Sequence, residues 1–236
     1  GHANTIKVAY NPNKEIPIDI GFMVFNKQTY PNLINFFSEN KIEIEKSDMS
    51  FSVTVENSDL EYCGKGLGGI FSNKKNLFNP KFLKMFFEIL SFYKNCEKIE
   101  IKKISSITLG EYLTEIKISE YFINYHIIPM VSAIWSMPPY EAKQMPLSFF
   151  LSFFKNHGLF KIKDRPQWFT VTNRSKTYVD KIIGQVSGEH FKNYNINKIT
   201  RNDLGAKIFY GEENEFFEYD KVVIATHADE ALKIID

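Results

Sequence analysis

The protein has 236 residues, of which 44% are hydrophobic and 24% are charged, as is ordinary for a soluble globular protein. Its 29 basic and 28 acidic residues leave a net charge of +1, which gives no overall field to attract nucleic acid or an anionic membrane. The two cysteines, Cys63 and Cys96, have no histidine at ligand-like spacing. We therefore expect neither disulfides nor a metal site, and a reducing, cytoplasmic location. No apolar run reaches the roughly 18 residues of a transmembrane segment.

The first part of the chain is predicted to be rich in strands. Apolar segments bounded by turn residues indicate two hairpins, one formed by residues 5–10 and 16–25 and the other by 49–56 and 60–63. Between the hairpins, a proline favours the start of a helix over residues 31–39, because proline suits the first helical position.

The middle of the chain is predicted to be helical. A long apolar helix follows Asn79-Pro80, and Thr108 and Glu111 have the spacing of a capping box that begins a shorter one. The remaining predicted helices cover residues 119–135 and 141–155.

Strands return after Gly158. The pattern predicts strands at 167–172, 194–200, 206–210 and 215–218, and a helix at 175–186. The segment KVVIA (221–225) is continuously apolar, as in a buried strand of a parallel sheet, and a helix, DEALKII, follows it. Strand-rich ends and a helical middle predict a mixed α/β (α+β) fold in which a helical lobe is inserted into a sheet domain.

Glycines at positions 64, 66 and 69 have the spacing G-x-G-x-x-G of a dinucleotide-binding turn. Such a turn follows a buried parallel strand and opens a helix whose N–H groups hold the pyrophosphate. Here a polar hairpin strand precedes the glycines, and the asparagines and proline of IFSNKKNLFNP follow them. This context favours a loop between hairpin and helix over a phosphate site.

Several longer motifs occur in a fixed order along the chain: GHANT, PIDIGFMVFNKQTYPNL, KSDMSFSV, TLGEYL, IIPMVSAIWSMPP, FFKNHGL, DRPQWFTV and VVIATHADEAL. Together they resemble a family of bacterial flavoproteins related to amine oxidases, described as FAD-dependent or NAD/FAD-binding oxidoreductases. The resemblance extends from the first residue almost to the last.

The resemblance implies a partial, Rossmann-like FAD-binding domain formed by residues 1–27 and 175–236. A substrate domain with a mixed sheet and the helical lobe, residues 28–174, is inserted into it. In that family a G-x-G-x-x-G unit precedes a stretch that ends in Gly-Gly-His, and Gly1-His2 resembles the end of that stretch. A segment that contacts the flavin follows the strand that ends in Ala-Thr-His. We therefore expect the interior of a larger enzyme, which on its own binds FAD weakly or not at all.

The resemblance also implies cofactor-binding residues in three segments. These are Gly1, His2 and Asn4; Asp19, Gly21 and Phe22; and Ala225, Thr226 and His227. Asp19 has a structural alternative, as a charged edge residue or a carboxylate tied to a turn. Thr226 has one too, as the cap of a helix beginning at Asp229; the two roles of Thr226 are compatible.

Four residues are predicted to bind the substrate: Tyr125, Trp135, Arg165 and Trp168. For the aromatic residues the alternative is a place in the core, which is where most aromatics at helical spacing lie. For Arg165 the alternatives are binding an acidic group of a ligand and a salt bridge with Asp164 or a neighbouring helix. His126 and His157 are expected to be hydrogen-bonded structural residues rather than general bases.

The sequence departs from the family at one place. A Gly-Gly-Ser turn close to the flavin is expected after RPQWFTV, where this chain has Asn173-Arg174-Ser175. Asparagine tolerates a left-handed turn, but Arg174 adds bulk and charge.

Three functions are therefore considered. The first is an FAD-dependent oxidoreductase that moves a hydride from a C–N or C–C bond of a small apolar or amphipathic, even lipid-like, substrate to flavin. The second is a non-catalytic binding module with the same fold, and the third is a self-sufficient interaction domain. No catalytic residue, oligomeric state or nucleic-acid partner is assigned from the sequence.

Overall fold

The structure of the protein, a computed structural model, describes residues 3–104, 106–162, 164–212 and 215–235. The chain divides into two compact units, Gly1–Ile183 and Gly184–Asp236. Both hydrophobic cores belong to the larger unit. Within the described residues, no helix has the length and apolar character needed to cross a membrane.

Ten strands and ten α-helices are assigned within the described residues. The strands are β1 (Thr5–Asn11), β2 (Lys14–Asp19), β3 (Phe25–Asn26), β4 (Ile44–Ser47), β5 (Ser52–Thr54), β6 (Glu61–Cys63), β7 (Trp168–Val171), β8 (Ile196–Asn202), β9 (Gly205–Tyr210) and β10 (Glu215–Tyr219). The α-helices are α1 (Pro31–Glu39), α2 (Gly66–Ile70), α3 (Pro80–Lys98), α4 (Leu109–Glu115), α5 (Glu120–Phe122), α6 (Ile128–Trp135), α7 (Pro139–Gln144), α8 (Leu147–Asn156), α9 (Ser175–Ile183) and α10 (Ala228–Ile234).

The first hairpin forms as predicted, with β1 antiparallel to β2 and Thr5 opposite Asp19. The predicted strand 16–25 is shorter than expected, because the chain bends at Ile20 and Gly21. Beyond the bend, β3 leaves the hairpin and pairs with β7 instead.

A three-stranded antiparallel sheet has the order β3-β7-β4. Its smaller hydrophobic core contains Phe25, Phe37 of α1 and Val171, all of which are buried. The Phe25 and Phe37 rings meet edge to face, with centroids 5.3 Å apart. The pairing joins the beginning of the chain to the segment that follows the helices.

The helical lobe contains the larger core, in which phenylalanines predominate. Local signals placed its helices correctly. The Asn79 side chain accepts hydrogen bonds from the N–H groups of Lys81 and Phe82 at the start of α3. Thr108 and Glu111 form the predicted capping box of α4.

Two details of the lobe differ from the predicted helices. The predicted helix 119–135 contains a π-helical turn, Ile123–Ile127, between α5 and α6. The predicted helix 141–155 is divided into α7 and α8, because Pro146 lacks an N–H group and holds Met145 in an extended conformation.

The glycine-rich stretch forms a short helix, α2, instead of the predicted loop. The strand before it, β6, pairs antiparallel with β5 in a two-stranded sheet, as the sequence indicated. Gly66 has a positive φ of 68°, and a Cβ at Gly69 would lie 2.7 Å from the Cys63 carbonyl oxygen. Local packing therefore accounts for both glycines.

The smaller unit contains an antiparallel sheet of order β10-β9-β8, as the short predicted strands indicated. The predicted buried strand 221–225 is wrong: the segment forms no strand, and Val223 is 91% exposed. A buried parallel strand needs hydrogen-bonded neighbours, and no described strand pairs with this segment. Its apolar composition alone does not make it a strand.

The turn between β7 and α9 retains a left-handed backbone without glycine. Asn173 has φ of 64° and Arg174 has φ of 81°. The Arg174 Nε group donates to the Pro17 carbonyl oxygen at 3.2 Å, and the guanidinium lies 3.7 Å from the Glu45 carboxylate. These contacts hold the arginine in the left-handed conformation, which residues other than glycine rarely adopt.

Replacing Arg174 by alanine should lower the free energy of unfolding by about 1–2 kcal/mol, because the contacts are lost and the strained φ remains. Arg174→Gly should be more stable than Arg174→Ala by about 1 kcal/mol, because glycine adopts this φ without strain. Urea unfolding followed by circular dichroism measures both. Equal stability of the two variants would show that the backbone at this position is unstrained.

Candidate functional site

Asp19 ties the first hairpin to the start of α9. Its Oδ1 atom accepts three hydrogen bonds, from Thr5 Oγ1 at 2.7 Å, from the Ser175 N–H group at 3.0 Å and from Ser175 Oγ at 2.8 Å. The Lys176 N–H group donates to Thr5 Oγ1 at 3.0 Å. A carboxylate at a helix N-terminus both satisfies free N–H groups and interacts favourably with the helix dipole. Of the structural alternatives for Asp19, the structure therefore shows the hydrogen-bonded carboxylate, and its partner is the start of a helix.

The other described cofactor candidates of this region lie beside Asp19. The Asn4 carbonyl accepts a hydrogen bond from the Ile20 N–H group at 3.0 Å, which continues the hairpin by one residue pair. Gly21 lies in the bend after β2 and is half-buried. The Phe22 ring contacts the Tyr30 ring edge to face, with centroids 6.3 Å apart. Gly1 and His2 lie outside the described residues.

A row of aromatic rings connects the two tryptophans. The centroids of Trp135 and Phe153 are 4.6 Å apart, those of Phe153 and His157 are 4.0 Å apart, and those of His157 and Trp168 are 6.3 Å apart. The His157 and Trp168 rings are nearly parallel, at 7°. We call Trp135, Phe153, His157 and Trp168 the aromatic ladder. The ladder brings Trp135 and Trp168, both predicted to bind the substrate, into one row. Phe153 and His157, which connect them, were not predicted as substrate-binding residues.

His157 is the polar ring of the aromatic ladder. Its Nδ1 atom lies 2.9 Å from the Phe153 carbonyl oxygen, which can only accept, so Nδ1 carries the proton. Nε2 is then an acceptor for the Tyr30 hydroxyl, 3.3 Å away. Burial raises the pKa of Tyr30 above its ordinary value. The pair therefore places a phenol hydroxyl and an imidazole ring beside the ladder.

Asn26 and Thr29 leave buried polar atoms beside the same region. Asn26 is fully buried and lies opposite Trp168 in the β3–β7 pair. Its Oδ1 atom accepts hydrogen bonds from the N–H groups of Gln28 and Thr29. Asn26 Nδ2 and Thr29 Oγ1 are buried polar groups without a hydrogen-bond partner in the described part of the chain.

Tyr125 lies apart from the aromatic ladder, in an open groove of about 380 Å³. The groove is formed by the first turns of α3 and the segment from Ser119 to Tyr125. Lys81, Lys84, Tyr121 and Tyr125 line it, and we call it the lysine–tyrosine groove. The rings of Tyr121 and Tyr125 meet edge to face, with centroids 4.7 Å apart.

The π-helical turn behind this groove is held by a buried network around His126. The Tyr62 hydroxyl donates to the Tyr125 carbonyl at 2.7 Å, so its oxygen accepts from His126 Nδ1, 2.9 Å away. Nε2 is then the acceptor for the Tyr93 hydroxyl at 3.0 Å. Burial, followed by the charge of Arg165, lowers the pKa of His126 to about 3. His126 is therefore a neutral structural residue.

Arg165 is exposed, and its Nε group donates to the Lys161 carbonyl oxygen at 2.7 Å. Within the described residues, no ion pair joins it to Asp164, and its role in binding an acidic group stays a prediction. The positive charge of Arg165 nevertheless lowers the pKa of the buried His126.

Ala225, Thr226 and His227 are exposed in the smaller unit. The helix that follows them, α10, begins at Ala228 with His227 in the N-cap position. The predicted capping role of Thr226 is wrong, because its hydroxyl donates to the His227 carbonyl oxygen at 3.2 Å and no side chain caps α10.

No known protein-family profile matches the sequence, and no curated protein matches it by sequence. Solved structures do match in fold. Putrescine oxidase, solved with putrescine bound, matches 100% of this chain with a TM-score of 0.64 and 14% identity. Cyclohexylamine oxidase from Brevibacterium oxydans IH-35A matches 98% of it with a TM-score of 0.64 and 16% identity. A fatty acid isomerase from P. acnes that produces CLA matches 100% of it, with a TM-score of 0.61 and 10% identity.

The chain spans about half the length of these structures: 52%, 51% and 52% of the putrescine oxidase, the cyclohexylamine oxidase and the isomerase. The similarity at these identities establishes the fold. The mixture of helices and small sheets in the described residues is consistent with part of the fold of these flavin enzymes.

Replacing Asp19 by alanine should lower the free energy of unfolding of the larger unit by about 2 kcal/mol, because a helix cap and a bond to Thr5 are lost together. Asp19→Asn should lose about half as much, because an amide oxygen can accept the same bonds without the charge. Urea unfolding monitored by circular dichroism measures the difference.

The control for Asp19 is Asp180→Ala, which removes an exposed carboxylate of α9 that pairs with Lys176. The free energy of unfolding of this variant should be within about 0.5 kcal/mol of that of the parent protein. If Asp19→Ala lowered the free energy of unfolding no more than Asp180→Ala does, the Asp19 carboxylate would not be the cap of α9.

The stability of the protein should fall as the pH decreases below 6.5. The pKa of His126 is lower in the folded state, so the unfolded state binds the proton first, and stability is lost progressively until about pH 3. The loss should be about 1.4 kcal/mol per pH unit, or about 2 kcal/mol by pH 5.

His126→Gln should be less stable at pH 7 and should lack this part of the pH dependence. His157→Gln is the control, because it removes a half-buried histidine and should leave the slope due to His126 unchanged. Urea unfolding of all three proteins between pH 5 and pH 8 makes the comparison. An unchanged slope in His126→Gln would contradict the buried neutral state.

Proposed function

We propose that the chain forms the substrate-binding part, with some cofactor-binding elements, of an FAD-dependent oxidoreductase of the amine-oxidase type. Such an enzyme transfers a hydride from a C–N or C–C bond of an apolar or amphipathic substrate to the flavin. The observation that carries the proposal is the match of the whole chain to half of two amine oxidases, at TM-scores of 0.64. The division into cofactor segments 1–27 and 175–236 and a substrate domain, 28–174, is part of the proposal.

The aromatic ladder supports an amine or another amphipathic molecule as the substrate. Its rings offer planar faces, and an ammonium group is attracted to the face of an indole. His157 and Tyr30 supply polar groups at the same place, and the buried atoms Asn26 Nδ2 and Thr29 Oγ1 lack a hydrogen-bond partner within the described residues. The ladder would orient the apolar body of the substrate and exclude water, while these groups would hold its polar end.

The end of the first hairpin is compatible with the proposed cofactor. The residues that would hold FAD are the cofactor candidates of the three segments: Gly1, His2, Asn4, Asp19, Gly21, Phe22, Ala225, Thr226 and His227. At the turn where the family has glycines, Asn173 and Arg174 keep the left-handed backbone, and Pro17 and Glu45 hold the guanidinium. FAD supplies the redox chemistry by accepting the hydride. Asp19 would act through position, since its carboxylate holds the hairpin against α9.

A second candidate function is a non-catalytic binding module with the same fold. The observation in its favour is Arg174, a charged and strained residue where close backbone approach is expected. Substrate-dependent bleaching of bound flavin, measured without oxygen, separates the two. Binding of flavin that no amine ever bleaches would favour the module.

Tryptophan emission tests the proposed substrate site directly, because both tryptophans of the chain belong to the aromatic ladder. Cyclohexylamine should change the emission saturably, since it combines an apolar ring with an ammonium group. Putrescine, which is charged at both ends, should change it at least about tenfold less effectively, because one charged end would lose hydration without a partner.

Trp135→Phe and Trp168→Phe each leave one reporter, and cyclohexylamine should still change the emission of both variants. Free tryptophan at equal concentration controls for quenching in solution. Absence of a saturable change in the parent protein, with the fold intact by circular dichroism, would contradict the proposed substrate site.

A further inference from the structure

Positive charge is concentrated in one segment of the chain. Between Cys63 and Lys98 there are seven lysines and two glutamates, a net charge of +5, whereas the whole chain carries +1. The overall charge, which gave no reason to expect binding to an anionic surface, therefore conceals a strongly basic region. The remainder of the chain is correspondingly acidic.

Large apolar side chains are exposed in the same segment. Phe78 is 87% exposed, Leu67 66%, Phe87 65% and Leu77 46%. Single exposed apolar residues are common on protein surfaces, but a group of them marks an interaction site.

Ring contacts connect α2 and α3 next to Phe87. The Phe71 and Phe86 rings have centroids 5.6 Å apart, and those of Phe86 and Phe87 are 5.5 Å apart. Leu67 lies one helical turn before Phe71, whose N–H group donates to the Leu67 carbonyl. Leu77 and Phe78 end the 3₁₀ turn that leads into α3. The exposed residues therefore lie along α2, the turn and the outer face of α3, and we call this the basic apolar surface.

Several lysines of this surface are not neutralised. Lys74, Lys81 and Lys94 are exposed and form no ion pair within the described part of the chain. Lys84 lies 3.8 Å from Glu88, and that carboxylate also accepts hydrogen bonds from the N–H and hydroxyl groups of Ser119. Along α3, Lys84 and Lys94 share one helical face with Phe87.

We propose that the basic apolar surface docks on an anionic lipid membrane. Phenylalanine and leucine side chains enter the boundary between headgroups and acyl chains, and the surrounding lysines bind anionic headgroups. The surface attaches the protein peripherally, by side chains on folded elements.

The lysine–tyrosine groove opens at the edge of this surface. Lys81 and Lys84 belong both to the groove and to the first turns of α3. Two ammonium groups and the positive end of a long helix outweigh the one carboxylate in the lining, that of Glu120, and favour a phosphate group in the groove. The rings of Tyr121 and Tyr125 contact the part of the headgroup or glycerol next to it. The groove thus offers a headgroup site where the apolar side chains enter the lipid.

A second copy of the chain fits this surface poorly, because two surfaces that both carry an excess of lysines would face each other. The segment between Cys63 and Lys98 contains no arginine, the residue most used to bind nucleic acid specifically. Charge and apolar exposure together therefore favour lipid over either alternative. The inference goes beyond the proposed function, since it involves neither flavin nor the aromatic ladder.

Co-sedimentation with lipid vesicles tests the proposal on the protein without added cofactor. The protein should bind vesicles of phosphatidylcholine mixed with phosphatidylglycerol and should bind pure phosphatidylcholine much more weakly, and added salt should weaken the binding. Phe78→Ser and Phe87→Ser should each weaken binding at least about tenfold. The affinity of the double variant Lys74→Gln/Lys81→Gln for anionic vesicles should fall about fivefold for each lysine removed.

The control for the phenylalanines is Leu204→Ser, which removes an apolar side chain that is 89% exposed outside this surface. The control for the lysines is Lys192→Gln/Lys233→Gln. Both should bind anionic vesicles like the parent protein. Because the comparison of vesicle types uses the parent protein, it remains decisive even if a variant fails to fold.

Equal sedimentation with both vesicle types, or none with either, would overturn the proposal. So would a dimer in gel filtration that Phe78→Ser dissociates, since the surface would then join two copies. Binding of DNA or RNA that is stronger than binding to anionic vesicles and is lost in the lysine variant would assign the surface to nucleic acid instead.

Discussion

The carboxylate of Asp19 joins parts of the chain that are 156 residues apart, because it accepts hydrogen bonds from Ser175 as well as from Thr5. The pairing of Asn26 with Trp168 closes the same long excursion a few residues further on. The helical lobe lies between these points of the chain, which are held together by these contacts. The turn at Arg174, the small sheet and the position of His157 next to Tyr30 all depend on this closure.

The parts of the fold that depend on neighbouring residues could be predicted from the sequence. Asn79 and the Thr108–Glu111 capping box placed helix starts correctly, because a cap is decided by residues three positions apart. The strand Ile44–Ser47 was missed, because its only strand partner in the described sheet is β7, more than 120 residues later. The segment 221–225 was predicted as a strand from composition, but composition cannot supply a neighbouring strand.

The candidate site was predictable in its residue types and only partly in its arrangement. The two tryptophans are selected through the family resemblance. The ladder joins them through Phe153 and His157, whose i, i+4 spacing at the end of α8 is visible in the sequence. Tyr30 could not be found in this way, because it reaches His157 across 127 positions. Tyr125 was grouped with the tryptophans, but the π-helical turn directs it to a different groove.

Helix α3 shows how one periodic segment serves two purposes. Its inner face buries Phe82 and Met85 completely in the aromatic core, while its outer face exposes Lys84 and Phe87. Burial of the inner face stabilises the helix, so the outer face needs no apolar residue for folding. An exposed phenylalanine between lysines on a helix already held in place is therefore not explained by the stability of the fold. Interaction with a partner that is both apolar and anionic explains it, and a membrane surface has both properties.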